Sequence, residues 1–562
     1  MPHVRPVRDQ RVTTPTPDDP VAFPVLTDEQ VSVVETFGMR RTTRTGEVLY
    51  REGDTAYDFY VVLSGEIDVT IAASGDDQSI ARYGPGQFLG ELSLLTGLRA
   101  FVTTRVTEGG AVLVVPKNQF KNLIATQSGL SDKILAAYIA RRSILLSGAA
   151  ATTRVIGSRF SKETMRIREF LSRLSIPHEW LDPDRHEDVD DVLEHFDVEA
   201  MDLPVVITSG TVLRSPSTGQ LAEYLGLTLQ SLPERGFDLI VVGGGPAGLA
   251  ASVYGASEGL ATLDVERFGV GGQAGTSSRI ENYLGFPTGV SGTELAQRAL
   301  VQAEKFGARM TAPCEAESLR EEDGYLIVHL SDGTDVMGRA VIAASGARYR
   351  RLTADRLEDF EDAGVYYAAT HLEARLCTPG PVVVVGGGNS AGQAAMFLAD
   401  SGSPVTLVIR GADVGASMSR YLVDRISAHP VIRVRTQAEV TALDGGATLS
   451  AVRIRQQNRE ETVPCGALFS FIGAEPASGW LSSCAALDDH GFVLTGRMLR
   501  DRDLSEAWEA LGRAPLPYES SRPGLFAVGD VRSGSVKRVA AAVGEGSACV
   551  SSVHEYLAFG EG

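Results

Sequence analysis

Hydrophobic and polar positions follow two different rhythms along the chain. From residue 23 to about residue 150, short alternating runs are separated by glycine, as in TRTGEVLYREGD and DFYVVLSGEIDVTI. Runs with this spacing predict the antiparallel strands of a small β-barrel or jelly roll. The amphipathic stretch QFKNLIATQSGLSDKILAAYIARRSILL then predicts helices that close the domain.

Residues 151–228 carry a mixed pattern of strands and helices. The predicted order is strand, helix, strand, helix, a pair of strands and a helix. At the start of the first helix, Ser161 is followed by Glu163, which indicates an N-cap and an acid favoured by the helix dipole.

Two later segments share a buried strand, a glycine turn, a helix and a second strand. They are FDLIVVGGGPAGLAASVYGASEGLATLDVE and PVVVVGGGNSAGQAAMFLADSGSPVTLVIR. In this fingerprint one glycine makes a tight turn, one lets the backbone approach a pyrophosphate and one permits close helix packing. Each segment therefore predicts a dinucleotide site at a helix N-terminus. The candidate residues are Gly243, Gly245, Pro246, Ala247, Gly248 and Glu266 in the first segment and Gly386, Gly388, Asn389, Ser390 and Ala391 in the second.

The residue at the end of the second strand differs between the two segments. Glu266 can accept hydrogen bonds from a ribose diol, whereas Arg410 stands where NAD sites carry an acid. An arginine there can pair with a 2′-phosphate, which favours NADPH, and Arg420 is a further candidate partner. The alternative is NADH, with Arg410 solvated and Asp413 reaching the ribose.

Composition limits the classes of partner. Lys and Arg number 52 against 71 Asp and Glu, a net charge of -19 that argues against binding to nucleic acid or anionic membranes. The five cysteines lie far apart, without metal-ligand or disulfide spacing, which predicts no metal site and a reducing cytoplasm. The first 22 residues are rich in proline and predict a disordered tail, and no stretch predicts a membrane span.

From about residue 233 onward the chain resembles the thioredoxin reductase family of flavoproteins. The motifs that carry the resemblance are GVGGQAG, SRIENYLGFP, GLFAVGDV and KRVAAAVGEG. The resemblance implies FAD and NADPH as cofactors, an NAD(P) domain inserted between two FAD segments, domain rotation between flavin reduction and product release, and a homodimer. It also implies flavin contacts at Gly271, Gly272, Gln273, Glu281, Asn282, Gly529, Asp530, Val539 and Ala540.

The chain departs from this family at its redox centre. Alignment places Ala368, Ala369, Thr370 and His371 where the family carries its CxxC pair. One cysteine cannot form a disulfide by itself, and Cys377, six residues later, fits an ordinary buried cysteine. His371 is a weak candidate for proton relay to the flavin, with a structural role as the alternative.

Two further resemblances concern the front of the chain. The run FLGELSLLTGLRAF resembles the phosphate cassette of cyclic nucleotide-binding domains, with candidate residues Gly90, Glu91, Leu92, Arg99 and Ala100. No proline precedes Arg99 and Phe101 follows its neighbour, so both retention and loss of cyclic nucleotide binding stay open. Residues 151–228 look like a thioredoxin or glutaredoxin fold, with Pro204 at the cis-proline position, Ser161–Thr164 in place of the redox pair and no cysteine.

These patterns predict a multidomain α/β protein that is an FAD-dependent NAD(P)H oxidoreductase. The predicted segments are a disordered tail (1–22), a cyclic nucleotide-binding-like barrel or jelly roll (23–150), a thioredoxin-like domain (151–228), a first FAD segment (229–350), an NAD(P)H domain (351–469) and a second FAD segment (470–562). The expected acceptor is a small molecule, such as a quinone or an external dithiol, or a small redox protein. The alternatives are a ferredoxin- or flavodoxin-NADP reductase-like enzyme and a redox or nucleotide sensor without fast turnover.

Overall fold

The computed structural model resolves the chain into two compact units. One holds residues up to 157 together with 175–227, and the other holds 158–174 together with the chain from 228 onward. The residues that the structure describes are 19–73, 76–90, 93–96, 98–147, 153–174, 176–183, 185, 189–196, 198–208, 211–228, 236–277, 279–361, 364–367, 369, 374, 380–446, 448–457 and 459–559.

The first unit begins with an antiparallel sheet. Its strands are β1 (Met39–Thr42), β2 (Val48–Tyr50), β3 (Phe59–Ala73), β4 (Asp76–Tyr83), β5 (Phe88–Leu89) and β6 (Thr103–Val115). They run in the order β1-β6-β3-β4, with β2 paired to β6 and β5 to β3. Among the described strands β1 and β4 do not pair, so hydrogen bonding does not close this sheet into the expected barrel.

Helices accompany this sheet. They are α1 (Asp28–Glu35), α2 (Ser93–Thr96), α3 (Lys117–Thr126) and α4 (Ser128–Ser147). Phe120 of α3 stacks on Phe59 of β3 with ring centroids 4.8 Å apart, and both side chains are fully buried. The amphipathic pattern therefore correctly predicted helices that bury their apolar side against the sheet.

A second, mixed sheet completes the first unit. Its strands β7 (Thr153–Ile156), β8 (His178–Leu181), β9 (Val205–Thr208) and β10 (Thr211–Arg214) run in the order β10-β9-β7-β8. Strands β7 and β8 are parallel, while β9 is antiparallel to both of its neighbours. Helices α6 (Val189–His195) and α7 (Thr218–Leu225) belong here, and the Leu203–Pro204 bond is cis. The element order is the predicted one, and the thioredoxin-like assignment stays a prediction.

In the second unit, a seven-stranded sheet carries the first glycine turn. Its strands are β11 (Gly236–Val242), β12 (Thr262–Val265), β13 (Arg309–Thr311), β14 (Ala316–Glu322), β15 (Tyr325–Leu330), β16 (Asp335–Ala343) and β27 (Leu525–Ala527). The order is β13-β12-β11-β16-β15-β14, and β27 pairs with β16 in parallel. The helices that accompany this sheet are α5 (Lys162–Arg173), α8 (Pro246–Ser257), α9 (Gly272–Gly275), α10 (Gly292–Lys305), α14 (Glu506–Leu511) and α15 (Val539–Phe559).

The second glycine turn belongs to a parallel sheet in the same unit. This sheet contains β18 (Val365–Tyr366), β19 (Val382–Val385), β20 (Val405–Val408), β21 (Ile432–Arg435) and β25 (Ala467–Ser470), in the order β18-β25-β19-β20-β21. A three-stranded sheet of β22 (Ala438–Gly445), β23 (Leu449–Gln456) and β24 (Arg459–Pro464) accompanies it, and β17 (Ala347–Tyr349) pairs with β26 (Ala474–Pro476). The helices are α11 (Leu357–Phe360), α12 (Asn389–Asp400) and α13 (Arg420–Ala428).

The chain thus leaves the seven-stranded sheet after β16 and returns to it at β27. The strand, turn and helix of each fingerprint lie where the apolar runs indicated. In β19 all four residues are buried, which suits a parallel strand covered on both faces. The domain boundaries stay predictions. In the part of the chain that is described, no helix combines the length and apolarity needed to cross a bilayer.

Candidate dinucleotide-binding site

A large cavity of about 1520 Å³ lies in the second unit. Both glycine fingerprints contribute to its wall, together with the segments around Gly272 and Asp530. The predicted site residues that line it are Gly243, Gly245, Pro246, Ala247, Glu266, Gly272, Gln273, Asn282, Asn389, Ser390, Gly529, Asp530 and Val539. The remaining predicted residues of this unit, Gly248, Gly271, Glu281, Gly386, Gly388, Ala391, Arg410, Arg420 and Ala540, are not among those that form the wall.

The turn after β11 has the shape that close approach to a phosphate requires. Gly243 has φ +118°, and a Cβ there would lie 2.4 Å from the Ala344 carbonyl oxygen. A Cβ on Gly248 would lie 1.8 Å from the Gly243 carbonyl oxygen, so this glycine lets α8 pack against the turn. At Gly245 the nearest atom to an added Cβ is the Gly272 Cα, 3.9 Å away. The turn is therefore closed on its protein side and open on its cavity side.

Helix α8 begins without a side-chain cap. Its N-cap is Gly245, which offers no side-chain hydrogen bond, and Pro246 occupies the first helical position. The neighbouring α9 begins in the same way at Gly271, which has φ +101°. Uncapped N–H groups at two helix starts attract an anion, so these residues fit the pyrophosphate of a dinucleotide.

Glu266 follows β12 directly and is buried. Its Oε2 accepts from the Gly244 N–H at 2.7 Å, and its Oε1 accepts from the N–H groups of Phe268 and Gly269. These backbone bonds fix the carboxylate beside the glycine turn, where lone pairs remain for a ribose diol. Two residues earlier, Asp264 is fully buried, and burial together with the Glu266 charge raises its pKa to about 8.

Asp530 enters the cavity from the segment after β27. Gly529 has φ +70°, and its N–H donates to Glu545 Oε2 at 2.7 Å, while Arg532 pairs with the same carboxylate at 2.6 Å. Lys537 Nζ donates to the Asp530 carbonyl at 2.6 Å. Burial raises the pKa of the Asp530 carboxyl, as expected for an acid that is partly shielded from water.

The second fingerprint follows the same design. Gly386 has φ +143°, and an added Cβ would lie 2.4 Å from the Phe471 carbonyl oxygen, whereas Gly388, the N-cap of α12, has open space around it. Asn389 Oδ1 accepts from both the N–H and the Oγ of Ser419 at 2.7 Å. This pair ties the start of α12 to the start of α13.

The candidate 2′-phosphate partners lie on the surface. Arg410 is exposed at the end of β20. Asp413, the alternative ribose partner, accepts from the Gly415 N–H at 2.9 Å and so caps a local turn. Arg420 is exposed and pairs with Asp424 at 3.0 Å.

The position of the expected redox pair is described only at Ala369, which is buried and lines the cavity. Ala368, Thr370, His371 and Cys377 lie outside the described residues. Burial raises the pKa of the four described cysteines: to about 11 in Cys314, to about 12 in Cys465, and above the ordinary value in Cys484 and Cys549. None of these four is therefore a thiolate at neutral pH.

The cyclic nucleotide candidates form a separate group in the first unit. Gly90 has φ +118°, and Glu91 and Leu92 lie outside the described residues. Arg99 donates to the carbonyl oxygens of Tyr224 and Gly53, and the Ala100 N–H donates to the Asp54 carbonyl at 2.9 Å. The guanidinium and amide expected to hold a phosphate thus already have protein partners.

Several cavity residues lie outside the sequence motifs. They include Arg166, Glu169 and Arg173 of α5, Ser417 and Trp480. Lys537 also lines the cavity and is the first residue of the KRVAAAVGEG motif, although it was not predicted as a site residue. The three residues of α5 are three and four positions apart, which places them on one helix face. This spacing is the sequence signal that could have identified them as a group. Ser161 does cap this helix, since its side chain accepts from the Thr164 N–H, so its plain interpretation is confirmed. In the described residues, no group of three or more His, Cys, Asp or Glu side chains could hold a metal.

Comparison with known proteins covers both units. The chain matches the family model for pyridine nucleotide-disulphide oxidoreductases over residues 237–546 and the cyclic nucleotide-binding domain model over residues 40–127. It is 30% identical over 327 residues to a thioredoxin reductase of Treponema pallidum (strain Nichols), which covers 58% of this chain and 98% of that protein. The bifunctional thioredoxin reductase/thioredoxin of Mycobacterium leprae (strain TN) is 31% identical over 334 residues, 59% of this chain and 68% of that protein.

A solved structure has a similar fold. The crystal structure of T. acidophilum thioredoxin reductase superposes with a TM-score of 0.51 at 25% identity, covering 57% of this chain and 99% of that chain. The similarity thus spans almost all of that protein and somewhat more than half of this one.

Proposed function

Because this chain belongs to the pyridine nucleotide-disulphide oxidoreductase family, we propose that it is an FAD-dependent NADPH oxidoreductase of the thioredoxin reductase type. The observation that carries the proposal is the shared cavity: residues of both fingerprints, Gly245 and Asn389 among them, line one space. A hydride can pass only between rings held close together with water excluded, and one cavity lined from both sides meets that need.

Each element around the cavity has a distinct role in this reaction. The open starts of α8 and α9 would hold the FAD pyrophosphate, Glu266 would hold the adenosine ribose, and Asp530 would hold the ribityl chain. When bound, FAD would supply the two-electron redox chemistry of the reaction. The protein's own contribution is to bind, orient and exclude water, with buried Ala369 closing one section of the wall.

We assign NADPH over NADH on the second site. Arg410 is exposed two residues after β20, at the fingerprint position that favours a 2′-phosphate, and Asp413 is engaged in its own turn. Arg420 has an acidic neighbour that offsets its charge, so it contributes less.

In this proposal the electron acceptor is a separate molecule. The relatives are named for thioredoxin reduction, whereas the sequence here contains no Cys-x-x-Cys pair to relay electrons. The acceptor that we propose is therefore a small redox protein, an external dithiol or a quinone that reaches the cofactor without a cysteine relay in this chain. A ferredoxin- or flavodoxin-NADP reductase-like activity is the second candidate, favoured by the same missing pair. We further propose a homodimer in the cytoplasm.

The front domain is proposed to regulate this reaction through a cyclic nucleotide. Its match to the cyclic nucleotide-binding model supports the ligand class, and the contact of Arg99 with Tyr224 supports a link to the following segment. A sensor without fast turnover would use the same contact. Regulation requires that the nucleotide and NADPH sites change each other's occupancy.

Anaerobic mixing of the FAD-loaded protein with NADPH or NADH, followed at the flavin absorbance, tests the central proposal. We expect NADPH to bleach the flavin faster than NADH, and a panel of acceptors then to restore the colour. Absence of bleaching by either nucleotide would refute hydride transfer. Bleaching without reoxidation by any acceptor on the panel would favour the sensor.

A further inference from the structure

Helix α5 contributes to the flavin unit, although it lies in the chain between two strands of the other unit. Arg166, Glu169 and Arg173 recur at intervals of three and four residues, so they share one face of this helix. All three line the cavity, as do Glu266 and Phe268.

The C-terminal end of α5 is anchored to the segment that follows β12. Phe170 meets Phe268 edge-on with ring centroids 6.2 Å apart, and the Arg173 guanidinium lies 5.1 Å from the centroid of the Phe268 ring. Arg173 Nη1 donates to the Gly272 carbonyl at 3.4 Å, and Gln297 Nε2 donates to the Arg173 carbonyl at 2.8 Å. Phe268 and Gly272, which Arg173 contacts, both line the cavity.

The same segment holds the acid of the first fingerprint. Phe268 and Gly269 donate their N–H groups to Glu266, and a Cβ on Gly269 would lie 3.0 Å from the Arg173 Cβ. In this class of fold the acid at the end of the second strand marks the ribose of the adenosine half. Helix α5 is therefore adjacent to the adenosine end of the site.

Charge supports a cofactor contact. The dinucleotide brings two phosphate charges, and arginine binds such oxygens in a fork geometry. Glu169 accepts from both Nε and Nη2 of Arg173, at 3.0 and 2.7 Å, so this pair orients the guanidinium and offsets part of its charge. Unlike the exposed Arg420, the Arg173 side chain is only 18% exposed. Arg166 lies two helical turns before Arg173 on the same face and also lines the wall.

We propose that α5 completes the FAD site, and that Arg166 and Arg173 are positioning residues that bind the adenylate half of the cofactor. This inference rests on the proposed function, since it takes FAD as the occupant of the first fingerprint. It makes flavin affinity depend on a helix that precedes residues 237–546, the region that matches the oxidoreductase family model.

Titration of the full-length apoprotein with FAD and, separately, with FMN tests this. FMN lacks the adenylate half, so it reports the flavin end of the site alone. We expect Arg166→Ala and Arg173→Ala each to weaken FAD binding about 10-fold, as loss of a charge-assisted hydrogen bond does, and to leave FMN binding unchanged. Arg173→Lys keeps the charge without the fork and should fall between wild type and Arg173→Ala.

Arg298→Ala is the matched control. Arg298 forms the same i,i+4 pair with a glutamate, Glu294, in the same unit, and it is not among the cavity-lining residues. It should bind FAD and FMN as wild type does, and its apoprotein should melt as wild type does.

The outcomes separate the two proposals. Wild-type affinity for FAD in both arginine variants overturns the role of α5 while leaving the oxidoreductase proposal intact. Equal losses for FAD and FMN also overturn it, because they indicate a general disturbance of the site. A wild-type protein that binds no FAD overturns the proposed function and this inference together.

Discussion

Arg99 and Tyr224 hold each other in two ways: the guanidinium carbon lies 4.7 Å from the centre of the tyrosine ring, and Nε donates to the carbonyl of the same residue. Arg99 also donates to the Gly53 carbonyl at 3.0 Å. A cyclic phosphate that pairs with Arg99 must therefore compete with these partners.

This competition predicts opposite effects of two substitutions on nucleotide binding. Tyr224→Ala removes the ring contact, worth about 0.5–1 kcal/mol, and should raise the affinity for a fluorescent cyclic nucleotide about threefold. Arg99→Ala should abolish binding, measured by the same titration. If Tyr224→Ala leaves the affinity unchanged, the Tyr224 ring does not compete with the nucleotide for Arg99.

Alanine at two fingerprint glycines should separate folding from cofactor binding. Gly388 has ordinary φ and open space for a Cβ, so Gly388→Ala should fold normally and raise the KM for NADPH about 10-fold, because the methyl stands where the backbone must approach the ligand. Gly386→Ala, whose Cβ would meet the Phe471 carbonyl oxygen at 2.4 Å, should lower the melting temperature as well. Steady-state kinetics and thermal melts give both readouts, and an unchanged KM in Gly388→Ala would count against a dinucleotide at this turn.

Arg410 should decide the choice of nucleotide. Arg410→Ala removes the proposed 2′-phosphate partner and is expected to raise the KM for NADPH about 10-fold or more, leaving the KM for NADH within about twofold. Arg420→Ala should have a smaller effect because Asp424 already pairs with that side chain. Arg433→Ala, an exposed arginine on β21, is the control. Equal losses for the two nucleotides would assign Arg410 a general electrostatic role.

Asp264 should make the unfolding free energy depend on pH. Its pKa lies near 8 in the folded protein against an ordinary 3.8, so the folded state holds a proton that the unfolded chain releases. The stabilising contribution of Asp264 is therefore greatest below about pH 4 and falls as the pH rises toward 8, by up to about 1.4 kcal/mol per pH unit. Asp264→Asn should match wild type near pH 4 and exceed it at pH 8.

Urea denaturation at a series of pH values measures this difference. Asp323→Asn, at an exposed turn between β14 and β15, should follow the wild-type curve. A difference between Asp264→Asn and wild type that stays constant across the pH range would contradict the raised pKa.

Local patterns were enough to predict the two glycine turns. In the first turn, Gly243 and Gly248 belong to a motif whose spacing, strand and helix all lie within one stretch of chain, so the sequence alone predicts the shape of the turn. Arg173 is different, because its contacts with Phe268, Gly272 and Gln297 join residues about a hundred positions apart. The same reason explains Arg99, whose motif predicts a phosphate partner but contains no information about Tyr224.

The closure of the barrel could not be predicted from local patterns either. Alternation along β1–β6 predicts strands and their buried faces, whereas closure depends on whether β1 and β4 meet, which is a property of sheet twist and length.

The division of the chain between the two units has a practical consequence for anyone who tries to dissect the protein. The polypeptide passes from one unit to the other at residues 157–158, returns at 174–175 and passes again at 227–228. A protease cut or an expression boundary near residue 230 would yield a reductase fragment deprived of α5, and a fragment of the first unit carrying that helix without its packing surface. Neither fragment would report the behaviour of the intact protein.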